Sequence, residues 1–190
     1  MQFCPNFNIK SLGIISDQFL KLGLNDFQSA SLFIKNLPYK RNSDKLNSLC
    51  VFDDSGGTCS TKHALLKNLA LENNFKNLKL MLGIFKMNST NTPRISPVLN
   101  KYNLHEIPEA HNYLKYQNEI IDCTRKNFGA ADFINDLAEE IEIQPSQITD
   151  FKVQYHQKFL ENYLQENPHI PYSLHEFWKI REECIAALQQ

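Results

Sequence analysis

Gly56-Gly57-Thr58-Cys59-Ser60-Thr61-Lys62-His63-Ala64-Leu65-Leu66 reads as a Gly-Gly turn that delivers a cysteine to the first turn of a helix. The helical pattern continues to about residue 73, with Ala64, Leu65, Leu66 and Leu69 expected to face inward. The placement of Cys59 is chemically pointed. Unpaired N–H groups and the partial positive charge at a helix N-terminus favour a thiolate, which is the reactive form of cysteine.

The segments before this helix are also helical. Residues 11–22 place Leu12, Ile15, Phe19 and Leu22 on one face. Residues 26–36 place Phe27, Ala30, Phe33, Ile34 and Leu37 at helical spacing before Pro38 ends the run. Leu49-Cys50-Val51-Phe52 has the apolar character of a strand, and Asp53-Asp54-Ser55-Gly56-Gly57 that of a turn. After the Cys59 helix the period changes. Residues 78–85 form an apolar run of strand length, and residues 88–104 a polar loop suited to wall or cover a cleft. Two further strands, 109–114 and 119–124, have hairpin spacing around a turn at 115–118. The remainder reads as helical. A short helix is expected at 132–141, a longer one at 149–166 with Phe151, Tyr155, Phe159 and Tyr163 as its core stripe, and a third at 173–188 opened by a Ser173/Glu176 capping box. The expected fold class is α+β, with a small antiparallel sheet between helical segments. The chain is read as one domain over 1–190, with a core over about 26–124 and a helical extension over 125–190.

Composition is that of an ordinary soluble globular protein, 42% hydrophobic and 22% charged, and 190 residues can bury a core without staples. A formal net charge of −1 gives no overall field for nucleic acid or an acidic membrane, so neither is expected as a partner. The cysteines at 4, 50, 59, 123 and 184 form no CxxC pair, and none of the six histidines makes a zinc-like spacing with them. No metal or other cofactor is therefore expected. No signal peptide or membrane span is read in the chain, and a reducing, cytoplasmic setting is the economical expectation.

Cysteine-based acyl transfer needs an activated thiol, a base within hydrogen-bond reach and a third group that holds the base. His111, within Ile107-Pro108-Glu109-Ala110-His111-Asn112-Tyr113-Leu114, and Asp122, within Ile120-Ile121-Asp122-Cys123-Thr124, supply the second and third. On paired strands they come opposite or nearly opposite each other, on one face. A carboxylate after two isoleucines is costly to bury without a partner, which singles out Asp122. His63, one turn after Cys59, is read as a packed residue rather than the base. Ser60 and Thr61 are read as helix caps, and Thr124 as a strand-end residue. Cys4, Cys50, Cys123 and Cys184 are expected to be inert, and His105, His156, His169 and His175 to be surface or satisfied core positions.

Gly56-Gly57-Thr58-Cys59-Ser60 on a helix start, a strand with His111-Asn112-Tyr113 and a strand ending Ile121-Asp122-Cys123-Thr124 together resemble the transglutaminase-like superfamily. The resemblance covers residues 56–124. It implies a papain-like core in which the sheet packs on the nucleophile helix, with Cys59 as nucleophile, His111 as base and Asp122 as orienter. Arylamine N-acetyltransferases share this order of residues, so the pattern speaks to chemistry more than to substrate. The leading expectation is a cysteine-dependent amide or acyl hydrolase (peptidase, amidase or deamidase) or acyltransferase, acting on a protein, peptide or small amide. The alternatives are a catalytically silent binding or structural protein and a thioester-dependent N-acyltransferase.

Overall fold

The helix that opens on Cys59 lies at the centre of the molecule. The computed structural model describes residues 5–188. The elements run α1 (Ile14–Lys21), α2 (Phe27–Asn36), α3 (Cys50–Asp53), α4 (Cys59–Glu72), β1 (Lys79–Asn88), α5 (Ser96–Lys101), β2 (Glu106–Tyr116), β3 (Glu119–Ile121), β4 (Leu137–Ile143), α6 (Asp150–Glu166) and α7 (Leu174–Leu188). The fold class is α+β, with one four-stranded antiparallel sheet in the order β3-β2-β1-β4.

Alternation along the strands sorts the core into two layers. Leu80, Leu82, Ile84, Ala110 and Leu114 pack with Leu65, Leu66 and Leu69 of α4 and with Phe27 and Ile34 of α2. Met81, Phe85, Met87, Ile107 and Tyr113 pack on the other side with Ile95, Leu99, Phe177 and Ile180. Burial on both faces explains why β1 reads as a nearly unbroken apolar run.

α4 is enclosed almost all round, polar residues included. Lys62 is fully buried, and its ammonium donates to the carbonyls of Leu37 (2.6 Å) and Thr124 (2.8 Å). Burial pushes this lysine down to about 8. Lys62 thereby ties the segments at Leu37 and Thr124 to the helix.

The Gly-Gly turn is a fitted joint. Gly57 N–H donates to Pro38 O (3.1 Å), Lys40 N–H donates to Gly57 O (3.3 Å), and Tyr39 bridges Gly57 in parallel. A Cβ on Gly57 would meet Thr61 Oγ1 at 2.7 Å and Val51 Cγ2 at 3.1 Å, so glycine is needed for close approach. Gly57→Ala is expected to cost about 1–3 kcal/mol in urea unfolding through overpacking.

Several expectations are corrected. Leu12 and Leu22 are exposed, and α1 is held by Ile15 and Phe19 alone of the four. Residues 50–53 are a short helix, not a strand. The 88–104 segment carries a 3-10 turn (Pro93–Ile95) and α5, pinned because Ile95 and Leu99 are buried. The hairpin turn is tighter than 115–118: Tyr116 pairs with Glu119, and Gln117 and Asn118 take left-handed φ of 48° and 68°, as in a two-residue turn. The largest difference lies at 132–141, where two 3-10 turns lead into β4 instead of a helix, so the 125–190 extension is not wholly helical. Ile141 and Ile143, two apart, both turn to the core, while Glu142 pairs with Lys79 and Glu140 with Lys115. Pairing with the edge of β1 overrides the helix propensity of Ala and Glu here.

α6 keeps Tyr155, Phe159 and Tyr163 of its expected stripe against the core, but its most buried face is turned one position on. Phe151 is 38% exposed, and the fully turned-in positions are Lys152, His156, Leu160 and Tyr163. The Ser173/Glu176 box is present: Ser173 N–H donates to Glu176 Oε2 (2.8 Å), and Glu176 N–H to Ser173 Oγ (3.3 Å).

Candidate active site

Cys59 is the first residue of α4, where a backbone N–H has no partner within the helix. The preceding N–H, that of Thr58, is taken by Thr61 Oγ1 (3.1 Å), which in turn donates to Asn42 Oδ1 (2.6 Å). β3 pairs with β2 only at 114–116, which leaves the outer edge of β2 beyond Leu114 to other elements. Two groups dock there. The Asn112 N–H reaches the Cys59 sulfur, and Pro108 O accepts from His156 Nε2 (2.9 Å).

His111 Nε2 donates to Asp122 Oδ2 (2.6 Å), which leaves Nδ1 for its hydrogen bond with the Cys59 thiol. Asp122 follows the last residue of β3, and by the β2–β3 register it stands two pairs from direct opposition to His111, on the same face. Its second oxygen accepts from Thr124 N–H (2.8 Å). Only 1% of Asp122 is exposed, and burial alone would raise its carboxyl; the His111 imidazolium reverses this and holds it well below the usual range. Phe133, Phe128 and Phe85 stand edge-on to the His111 ring at 4.9, 5.5 and 5.8 Å, and Tyr113 stacks at 6.0 Å.

His63 bonds to backbone on both sides. Its Nε2 accepts from Cys123 N–H (2.7 Å), so Nδ1 carries the proton and donates to Cys59 O (2.8 Å). Burial pushes it down to about 4, so it is a neutral brace that locks the start of α4 to the end of the hairpin.

The residue that sequence reasoning missed is Lys152. Its Nζ lies 3.7 Å from Cys59 Sγ, 2.9 Å from Ser60 Oγ and 2.8 Å from Asn112 Oδ1. Ser60 Oγ also donates to Asn112 Oδ1 (2.9 Å), and Asn112 Nδ2 to Met81 O (2.9 Å). Among the described residues no carboxylate lies within ion-pair distance of Lys152. Its counter-charge is the sulfur. Burial alone would raise the Cys59 thiol, but Lys152 first, then His111 and the Asn112 N–H, pull it down to about 6. Burial likewise disfavours charge on His111, yet Asp122 and Cys59 lift it to about 9. Each charge favours the other, the direction of a thiolate–imidazolium pair. The sequence did hold a signal for Lys152: with His156 it interrupts an otherwise apolar stripe of α6 at four-residue spacing.

Cys59 lies between two lobes of one cleft. One lobe, a partly open pocket of about 30 Å³, is walled by Phe85, Met87, Phe128, Ile185 and Leu188, with His111, Thr124 and Arg125 beside them. Thr92 brings the 88–104 segment to this wall. The other lobe is charged, with Lys45, Lys152, Arg181, Glu109 and Glu182. Arg181 grips both oxygens of Glu109, reaches Glu182, and lies 5.2 Å over the Trp178 ring.

Cys50 and Cys184 have no such surroundings. Burial pushes Cys50 up to about 11 and Cys184 up to about 12, and Cys123 is buried and unbridged; Cys4 lies outside the described residues. His105, His169 and His175 are exposed. Among the described residues no three His, Cys, Asp or Glu side chains converge to hold a metal ion, and no helix is long and apolar enough to cross a membrane. Compared with protein-family models, curated proteins and solved structures, the chain matches none.

Proposed function

We propose that the protein is a cysteine-dependent amide or acyl hydrolase with a transglutaminase-like core, in which Cys59 is the nucleophile, His111 the acid–base and Asp122 the group that orients it. One observation carries this reading: the buried line Asp122–His111–Cys59, with Lys152 against the sulfur, opens into a cleft. The order of Cys, His and Asp along helix, strand and strand supports it.

The Cys59 thiolate adds to the carbonyl carbon, and the C=O π pair moves onto oxygen. Lys152 Nζ and the Cys59 N–H stabilise that oxyanion. The pair returns, the C–N bond breaks, and the leaving nitrogen takes the proton from His111 Nδ1. Neutral His111 then takes a proton from water as its oxygen adds to the thioester carbon. Collapse releases the acid and restores thiolate and imidazolium. An amine in place of water gives acyl transfer by the same steps.

The test is the rate of Cys59 alkylation by iodoacetamide against pH, read by peptide mass spectrometry. The rate is expected to rise through about pH 6, against about 8.5 for a free thiol. Turnover should follow a bell with limbs near 6 and 9, because His111 loses its proton above the upper value. A Cys59 that titrates like a free thiol would sink the proposal.

A further inference from the structure

We infer that the charged lobe of the cleft, between Lys45 and Lys152, receives a carboxylate or equivalent anion on the acyl half of the substrate, while the apolar lobe takes the leaving half. The inference rests on Cys59 being the nucleophile.

Charge accounting in this lobe leaves an excess. Arg41, Lys45, Lys152 and Arg181 face Glu109 and Glu182. Glu109 is gripped by Arg181, and Glu182 is shared by Arg41 and Arg181, so both carboxylates are matched to guanidinium groups. Lys45 is left over, and Lys152 is matched only by the sulfur. Lys152 has only neutral oxygens and the sulfur around its Nζ. Lys45 has no carboxylate within ion-pair distance among the described residues. Lys45 is more than a third exposed, yet partial burial, then the like charges of Lys152 and Arg41, disfavour its ammonium, a repulsion that a bound anion relieves. The need grows during the reaction, because acylation removes the thiolate charge and leaves Lys152 among dipoles alone.

The orientation of the substrate follows from the acid. The group that protonates the leaving nitrogen, His111, lines the apolar lobe and not the charged one, whereas Lys152 lines the charged lobe. The amine half therefore lies against Phe85, Phe128 and Leu188, and the acyl half against the lysines.

Iodoacetate and iodoacetamide test this, because they present the same electrophilic carbon and differ by one negative charge. The readout is the ratio of their rates at Cys59, compared with the ratio on N-acetylcysteine amide, a thiol with no carboxylate of its own. The ratio cancels changes in thiolate content, since both reagents meet the same sulfur. At an ionic strength of about 0.01 M, where screening is weak, the Cys59 ratio is expected to exceed that of N-acetylcysteine amide by about tenfold, the lower range for focusing by a charged cleft. Lys45→Gln should lower it several-fold and Lys45→Glu further; Lys45 is exposed, so neither change threatens the fold. A wild-type ratio equal to that of N-acetylcysteine amide, or one indifferent to both substitutions, overturns the anionic subsite while fast iodoacetamide labelling leaves the nucleophile standing. A Cys59 inert to both reagents overturns both.

Discussion

His111→Ala combined with Lys152→Met is expected to return Cys59 to a thiol that titrates at or above about 8.5 and to cut its alkylation at pH 6.5 by roughly a hundredfold. A thiol pulled down to about 6 is mostly ionised at that pH, whereas a free one is about one per cent ionised. Each single substitution removes one of two cations and should move the titration by about one to three pH units. The two effects should be coupled, because both groups act on one sulfur. Lys152→Met should leave the fold intact, since Ser60 Oγ still donates to Asn112 Oδ1 when the ammonium is gone. Turnover should suffer more in His111→Ala than alkylation does, with a loss of roughly 10³–10⁴, because the leaving nitrogen also loses its proton donor. If alkylation in the double variant matches wild type at pH 6.5, neither group activates the cysteine.

Arg181→Met is expected to destabilise the protein by about 3–5 kcal/mol in urea unfolding, because it strands a carboxylate in the interior. The side chains of Arg181 and Glu109 are 13% and 8% exposed, and their paired contact docks α7 on β2. Arg181→Met with Glu109→Gln should cost less than Arg181→Met alone, since the uncompensated charge is then absent. The pH dependence has a definite sign. Burial would raise the Glu109 carboxyl, but Arg181 holds it below the ordinary value. The pair therefore stabilises the folded state fully above about pH 4.3, the ordinary glutamate value, and this contribution is lost as pH falls through the lower folded value. Arg181→Met should show a flatter acid limb between those pH values. An equal loss in the single and double variants would show that packing of the arginine stem, not its charge, holds α7.

Local chemistry carried much of the reading. The helix opening at Cys59, its apolar continuation and the hairpin around His111 and Asp122 depend on neighbours within a few residues, and the structure has all three. Residues 132–141 failed for the opposite reason. Leu137-Ala138-Glu139-Glu140-Ile141-Glu142-Ile143 is a good helix former in isolation, and only the edge of β1 makes it a strand. α6 was legible in part: Tyr155, Phe159 and Tyr163 of the aromatic stripe do pack on the core. Lys152 and His156, beside Phe151 and Tyr155, turn fully inward because of what waits there: the sulfur of Cys59 and its polar neighbours for Lys152, a free carbonyl at Pro108 for His156.

By itself, then, the chain's sequence determined the α+β class, the cysteine at a helix start, a histidine on one strand of a hairpin and an aspartate just past the end of the other, since helix starts and hairpins are encoded over short range. The tertiary structure decided what charges the sulfur. Lys152 comes from 93 residues downstream, Phe133 closes over His111 from a segment of another expected shape, and Glu109 and Arg181 pair across 72 residues. Electrostatic fields and burial depend on distance in space, and no periodicity along the chain reports that distance.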